Sequence, residues 1–193
     1  MSTSASIQWF ARACLRTILV LIGTTSIALS AAAQSPVRKI DVAYDGEKYV
    51  VKAQMFAPVS QAVAWDVLTD FQNMAGWVPN VKESIVVKPG DRQMTVEQHG
   101  TAKYGALSFQ YVSVRDIVVS PQTTIQSTQV KGSMRRQQSL MTLSAEGEGT
   151  RMLYELELIP GLLASTVMSQ DLLKHEIEEQ FTAIIGEMVK RKK

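Results

Sequence analysis

A chain of 193 residues with 20 Lys+Arg against 18 Asp+Glu has the size of one domain, and its near balance of charge excludes the basic footprint of a nucleic-acid binder. The single cysteine, Cys14, excludes an intramolecular disulfide and a Cys-based metal cluster. Residues 1–33 contain no Asp or Glu and only Arg12 and Arg16 as charges, then a mostly apolar stretch from Leu15 to Leu29, then Ala31-Ala32-Ala33. That order predicts a secretory signal peptide cleaved near Ala33. The stretch is shorter and more broken than the roughly 20 apolar residues of a membrane span. Cleavage would remove Cys14 and both arginines, leaving about 160 residues with 18 basic against 18 acidic side chains. The expectation is a neutral, thiol-free domain, periplasmic or secreted.

Residues 34–39 read as a polar lead-in to one domain over 40–193. Ile40, Val42 and Tyr44 alternate, Asp45-Gly46 follows, and Tyr49, Val51, Ala53 and Met55 alternate again; this predicts a β-hairpin. Val59, Val63 and Val67, with Ser60 as cap, predict a short helix ending near Asp70-Phe71. An irregular segment from Asn73 to Asn80 carries Met74 and Trp77. Strand periodicity then returns over 84–87, 93–99, 106–114, 123–130, 134–143 and 151–158, punctuated by Pro89-Gly90-Asp91, Gly132 and Glu146-Gly147-Glu148-Gly149. Beyond Pro160-Gly161, an apolar stripe of Leu163, Val167, Leu173, Ile177, Phe181, Ile184 and Met188 predicts a helix from about Leu162 to Val189, with Glu176, Glu178, Glu179 and Glu187 off the stripe. Short turns between strands favour an antiparallel sheet with one covered face. The predicted class is α+β: a curved antiparallel sheet of about six or seven strands wrapped around a long C-terminal helix, with one short helix after the first hairpin.

Catalytic chemistry is sparse, and the sequence names no catalytic residue, metal ligand or cofactor. His99 ends a strand with only Glu97 near it. His175 lies four residues from both Asp171 and Glu179, a spacing that gives charge pairs on a helix surface. Neither the zinc-protease helix motif nor the serine nucleophile elbow is present. Arg135-Arg136 offers one side chain to each strand face, or two to solvent at a strand start. The run Lys190-Arg191-Lys192-Lys193 suits a helix C-terminus, with transient contact to anionic lipid as its other reading. Eight methionines beyond the leader fill a core or adapt to a ligand. Nothing in the sequence sets an oligomeric state.

The segments Ala57-Pro58-Val59-Ser60, Ala64-Trp65-Asp66-Val67-Leu68-Thr69-Asp70-Phe71, Trp77-Val78-Pro79-Asn80-Val81-Lys82-Glu83-Ser84, Val130-Lys131-Gly132-Ser133-Met134-Arg135 and Gly149-Thr150-Arg151-Met152-Leu153-Tyr154 resemble the START-like, or SRPBCC, helix-grip superfamily. Within it the chain is most similar to the polyketide cyclase/dehydrase and lipid-transport group that includes coenzyme Q-binding proteins. The resemblance covers nearly all of residues 38–190, and its motifs specify fold better than function. It implies a hydrophobic ligand (lipid, isoprenoid or quinone-like) held in a cavity under the long helix. It places Trp77 at the cavity mouth, where it would gate a ligand or plug the sheet end. It makes Phe109, Tyr111, Met141, Tyr154, Ile177 and Phe181 lining residues, or core residues where the cavity is closed. Two functions compete. One is a binding or carrier protein; the other is a cyclase- or dehydratase-type enzyme using groups such as Tyr154, Arg135 and His99. An interaction module without a small ligand is a third.

Overall fold

The computed structural model describes residues 35–192; the expected signal peptide and its cleavage point lie outside them. Alternation of apolar and polar side chains dictates most of the architecture. β1 (Val37–Tyr44) and β2 (Tyr49–Ala57) form the expected hairpin, with the first strand starting three residues inside the predicted lead-in. At its turn Asp45 Oδ1 accepts from the backbone N–H of Glu47 and Lys48 at 3.0 and 2.8 Å. These bonds, that to Lys48 first, hold its carboxyl below the usual range. α1 (Gln61–Thr69) is capped by Ser60, whose side chain accepts from Val63 N, and a 3₁₀ turn over Phe71–Gly76 fills the irregular segment.

Six strands follow: β3 (Val81–Lys88), β4 (Gln93–Tyr104), β5 (Leu107–Ser120), β6 (Thr124–Gly132), β7 (Met134–Glu146) and β8 (Gly149–Pro160). The sheet therefore has eight strands, not six or seven, in the order β1-β2-β8-β7-β6-β5-β4-β3, antiparallel throughout. Every alternating run after α1 becomes a full strand. Even the polar β6 pairs on both sides, because ladder hydrogen bonds use backbone groups, and it still buries Ile125 and Ser127.

The final helix is shorter than its apolar spacing predicts. α2 spans Gln170–Arg191, capped by Ser169, whose hydroxyl accepts from Leu172 N at 3.1 Å. The preceding segment makes a separate 3₁₀ turn, Ala164–Thr166. Leu163 leaves the predicted stripe and stands 75% exposed, beside Leu162 at 87%. A cap residue in extended conformation stops the helix from extending backward, and helical spacing alone does not reveal that.

Val167 also lies outside α2, after that turn, and the stripe holds from Leu173 onward. Leu173, Ile177, Phe181, Ile184 and Met188 are buried against the sheet, where α2 packs on β1, β2 and β4 and beside α1. Opposite them, Val51, Met55, Met152 and Leu156 project from the sheet and are buried. Each such side chain contributes about 1.5–3 kcal/mol on burial. Met55, Met152 and Met188 are wholly enclosed, so these three methionines are core. Among the described residues no helix is long and apolar enough to cross a membrane.

Candidate functional site

Between the sheet and the N-terminal half of α2 the packing is incomplete. A cavity of about 140 Å³ is lined by Phe109, Tyr111, Tyr154, Leu158, Leu173 and Ile177 among others. A second lobe of about 80 Å³ lies against Phe71, Met141, Tyr154 and Phe181. Gln98, Arg115, Tyr154 and Gln180 border both lobes. Six of the seven residues expected at the site are thus brought together. Tyr154 and Phe181 meet edge to face, with ring centroids 5.0 Å apart.

The seventh, Trp77, lines neither lobe. It packs against the core, and the Arg191 guanidinium lies 5.9 Å from its ring centroid. Arg191 also pairs with Asp70 and Glu187, both at 2.9 Å. Lys190 lies 3.5 Å from Glu187, and Lys192 Nζ donates to Pro58 O at 2.7 Å. Arg191 and Lys192 thereby tie the end of α2 to the segments flanking α1, while the exposed Lys190 pairs along the helix itself.

The groups offered for an enzyme are dispersed. His99 pairs with Glu97 at 2.8 Å, on the sheet face opposite Gln98. A register shift between Met134 and Arg136 turns both strand-start arginines outward. Arg135 pairs with Glu47, and Arg136 donates to Gln138 at 2.9 Å. Of the proposed enzyme set only Tyr154 reaches the cavity.

In their place the structure supplies polar groups that residue types alone do not single out. β5 runs six residues beyond the predicted end at Val114, so the alternation Phe109, Tyr111 continues through Ser113 and Arg115 on the same face. Carrying the period-two pattern two residues further finds them. Arg115 Nη2 donates to Gln98 Oε1. Gln98 Nε2 donates to Ser84 Oγ at 3.0 Å, and Ser84 in turn donates to Phe71 O at 2.6 Å. This chain of buried bonds fixes the guanidinium in the cavity floor. Burial lowers the pKa of Arg115, opposed by the nearby phenols of Tyr154 and Tyr111; an arginine nevertheless stays charged. None of the ion pairs among the described residues includes it.

Burial pushes Tyr111 up to about 12, with Arg115 opposing and Glu176 adding. Tyr154 is also raised by burial, against a hydrogen bond with Ser139. Tyr111 donates to Asn80 O at 3.1 Å, and Gly100 makes room for it: a Cβ there would lie 2.4 Å from the phenol and 2.1 Å from Asn80 O. Glu176, expected off the apolar stripe, is buried at 8% exposure. Its Oε1 accepts from Lys103 N at 2.6 Å and its Oε2 from Asn80 Nδ2 at 2.7 Å, so it ties α2 to β4 and to the loop before β3. Three polar atoms of cavity-lining residues have no partner: Asn80 Oδ1, Ser113 Oγ and Arg115 Nε. A larger groove of about 550 Å³ lies between β1, β2 and the last turns of α2. It gathers none of these unpartnered groups, so the smaller cavity is the candidate site.

A long helix held in a curved antiparallel sheet, with a partly polar cavity between them, defines the helix-grip class. The polyketide cyclase/dehydrase and lipid transport family matches residues 57–183, and the chain belongs to that family. No curated relative matches the sequence. Solved structures with the same fold include a protein from Thermus thermophilus, 14% identical over 75% of this chain and 99% of that one, TM-score 0.65. The Zhui aromatase/cyclase of a Streptomyces species is 12% identical over 75% and 95%, TM-score 0.63. A STAR-related lipid transfer protein from Xanthomonas axonopodis is 14% identical over 78% and 98%, TM-score 0.59.

Proposed function

We propose that this chain is a periplasmic or secreted binding or carrier protein for a hydrophobic small molecule, held between the sheet and α2. The observation that carries it is the internal cavity, with apolar walls from Phe109, Leu156, Leu158, Leu173 and Ile177 and a few polar groups on its floor. That is the usual composition of a small-molecule site. The compartment rests on the leader-like residues 1–33.

The two lobes are smaller than the roughly 300–1,000 Å³ of most ligand sites. The conformation described therefore suits a single ring or a short chain. A bulkier lipid requires Val167 and Met168, which precede α2 and line the cavity, to move outward.

The cyclase or dehydratase reading has one observation in its favour: two tyrosines and an arginine share the cavity. Burial holds both phenols protonated, however, and Glu176 already accepts on both oxygens. The cavity therefore offers donors without a free base poised near neutral pH, which favours holding over turnover. Mass spectrometry of small molecules that co-purify with the protein, followed by thermal shift across a lipid panel, tests the proposal. A bound apolar molecule that raises the melting temperature supports it. An empty protein indifferent to every lipid, or product formed from a poly-ketone substrate, overturns it.

A further inference from the structure

A buried cation without a counter-ion is costly, and burying it together with unpaired polar atoms compounds the cost. Arg115 approaches that case: its side chain is half-buried, its Nε is shut off from solvent with no hydrogen-bond partner, and it takes part in no ion pair among the described residues. Its position is enforced by the relay through Gln98 and Ser84 to Phe71 O. Ser113, two residues earlier on the same strand face, presents an unpartnered hydroxyl to the same cavity. Glu176, the carboxylate among the residues lining the same cavity, is taken up by Asn80 and the Lys103 backbone. The apolar walls come from β5, β8 and the N-terminal turns of α2.

We infer that the ligand carries a carboxylate head, received by Arg115 and Ser113, with its apolar body along Phe109, Leu173 and Ile177. This rests on the binding function proposed above and narrows it to an acidic amphiphile. A guanidinium matches a carboxylate in charge and in planar, forked geometry. The carboxylate supplies the missing acceptor for Nε, and Ser113 adds a hydroxyl donor.

The test is calorimetric titration of the purified protein with octanoate, octanol and methyl octanoate, for the wild type and for Arg115→Met. Octanoate should bind the wild type at least about tenfold tighter than octanol, as a charge-assisted pair implies. In Arg115→Met the preference should vanish while octanol binding persists. Equal binding of octanoate and octanol by the wild type overturns the carboxylate inference and leaves the apolar cavity standing. Binding of none of the three overturns both. A preference retained in Arg115→Met removes Arg115 from the head-group site. Should that variant not fold, the wild type still decides: the preference must fade between about pH 7 and pH 4, as the fatty acid protonates, and a preference unchanged by that acidification overturns the inference.

Discussion

Arg115 and Tyr111 show how single residues can be arranged for a site at some expense of the fold. A cation in the cavity floor with an unpartnered Nε weakens the ligand-free protein, since removal of an uncompensated buried charge is often neutral or stabilising. Arg115→Met should leave urea stability unchanged or raise it by about 1 kcal/mol, the gain offset by the donor that Gln98 Oε1 loses. A fall beyond about 2 kcal/mol would identify the arginine as part of the core. Tyr111 gives a pH signature. Its folded-state pKa rises from 10.0 to about 12, so the unfolded chain releases the phenolic proton first. The contribution of the neutral phenol is complete below pH 10.0 and is lost as pH rises toward about 12. Chemical denaturation across that window should show stability falling with pH, with a shallower fall in Tyr111→Phe. An unchanged slope in the variant would assign alkaline sensitivity elsewhere, with Tyr154 next.

At the level of elements, the two ends of α2 have different work. The first turns, after Ser169, border the cavity; the last turn is fastened by Arg191 to Asp70, Glu187 and the Trp77 ring. Trp77 thus sits with the fastening, where its loop position in the sequence allows either a gate or a plug of the sheet end. Trp77→Ala should lower stability by about 2 kcal/mol, a partial version of the usual tryptophan deletion, and change octanoate affinity less than twofold. The reverse pattern in paired urea and calorimetric measurements would restore it as a gate. Strands and both helices were legible because period-two and helical spacing are set by burial along each element. What spacing could not show was where an element stops. Leu163 and Val167 continue the helical pattern of α2 yet lie outside it, because Ser169 caps the helix first. The predicted strand ends at Val114, one residue before Arg115, whereas β5 runs to Ser120, and that early stop hides the cavity floor. Residue types named the aromatic walls; a longer β5 alternation brings in Ser113 and Arg115, and only Gln98 needed the register of β4 against β5, where it faces Ser113.

The domain formed by the described residues is a meander with a late closure. From β3 to β8 every strand pairs with its sequence neighbour, whereas the β1-β2 hairpin joins the sheet only through β8, with Val51 opposite Leu156. The helix that covers the cavity comes after β8 in the chain. The strand order thereby carries a kinetic consequence. The hairpin synthesised first finds its seat last, and the sheet stays two strands short until nearly all of the chain is available. Contacts between distant parts of a chain slow folding, so stopped-flow refolding is expected in the millisecond-to-second range of β-rich domains. Val51, fully buried at that seam, provides the test: Val51→Ala should accelerate unfolding and leave the folding rate nearly unchanged, the signature of contacts formed after the rate-limiting step. A folding rate slowed in proportion to the lost stability would instead place the joining of the two chain ends in the nucleus.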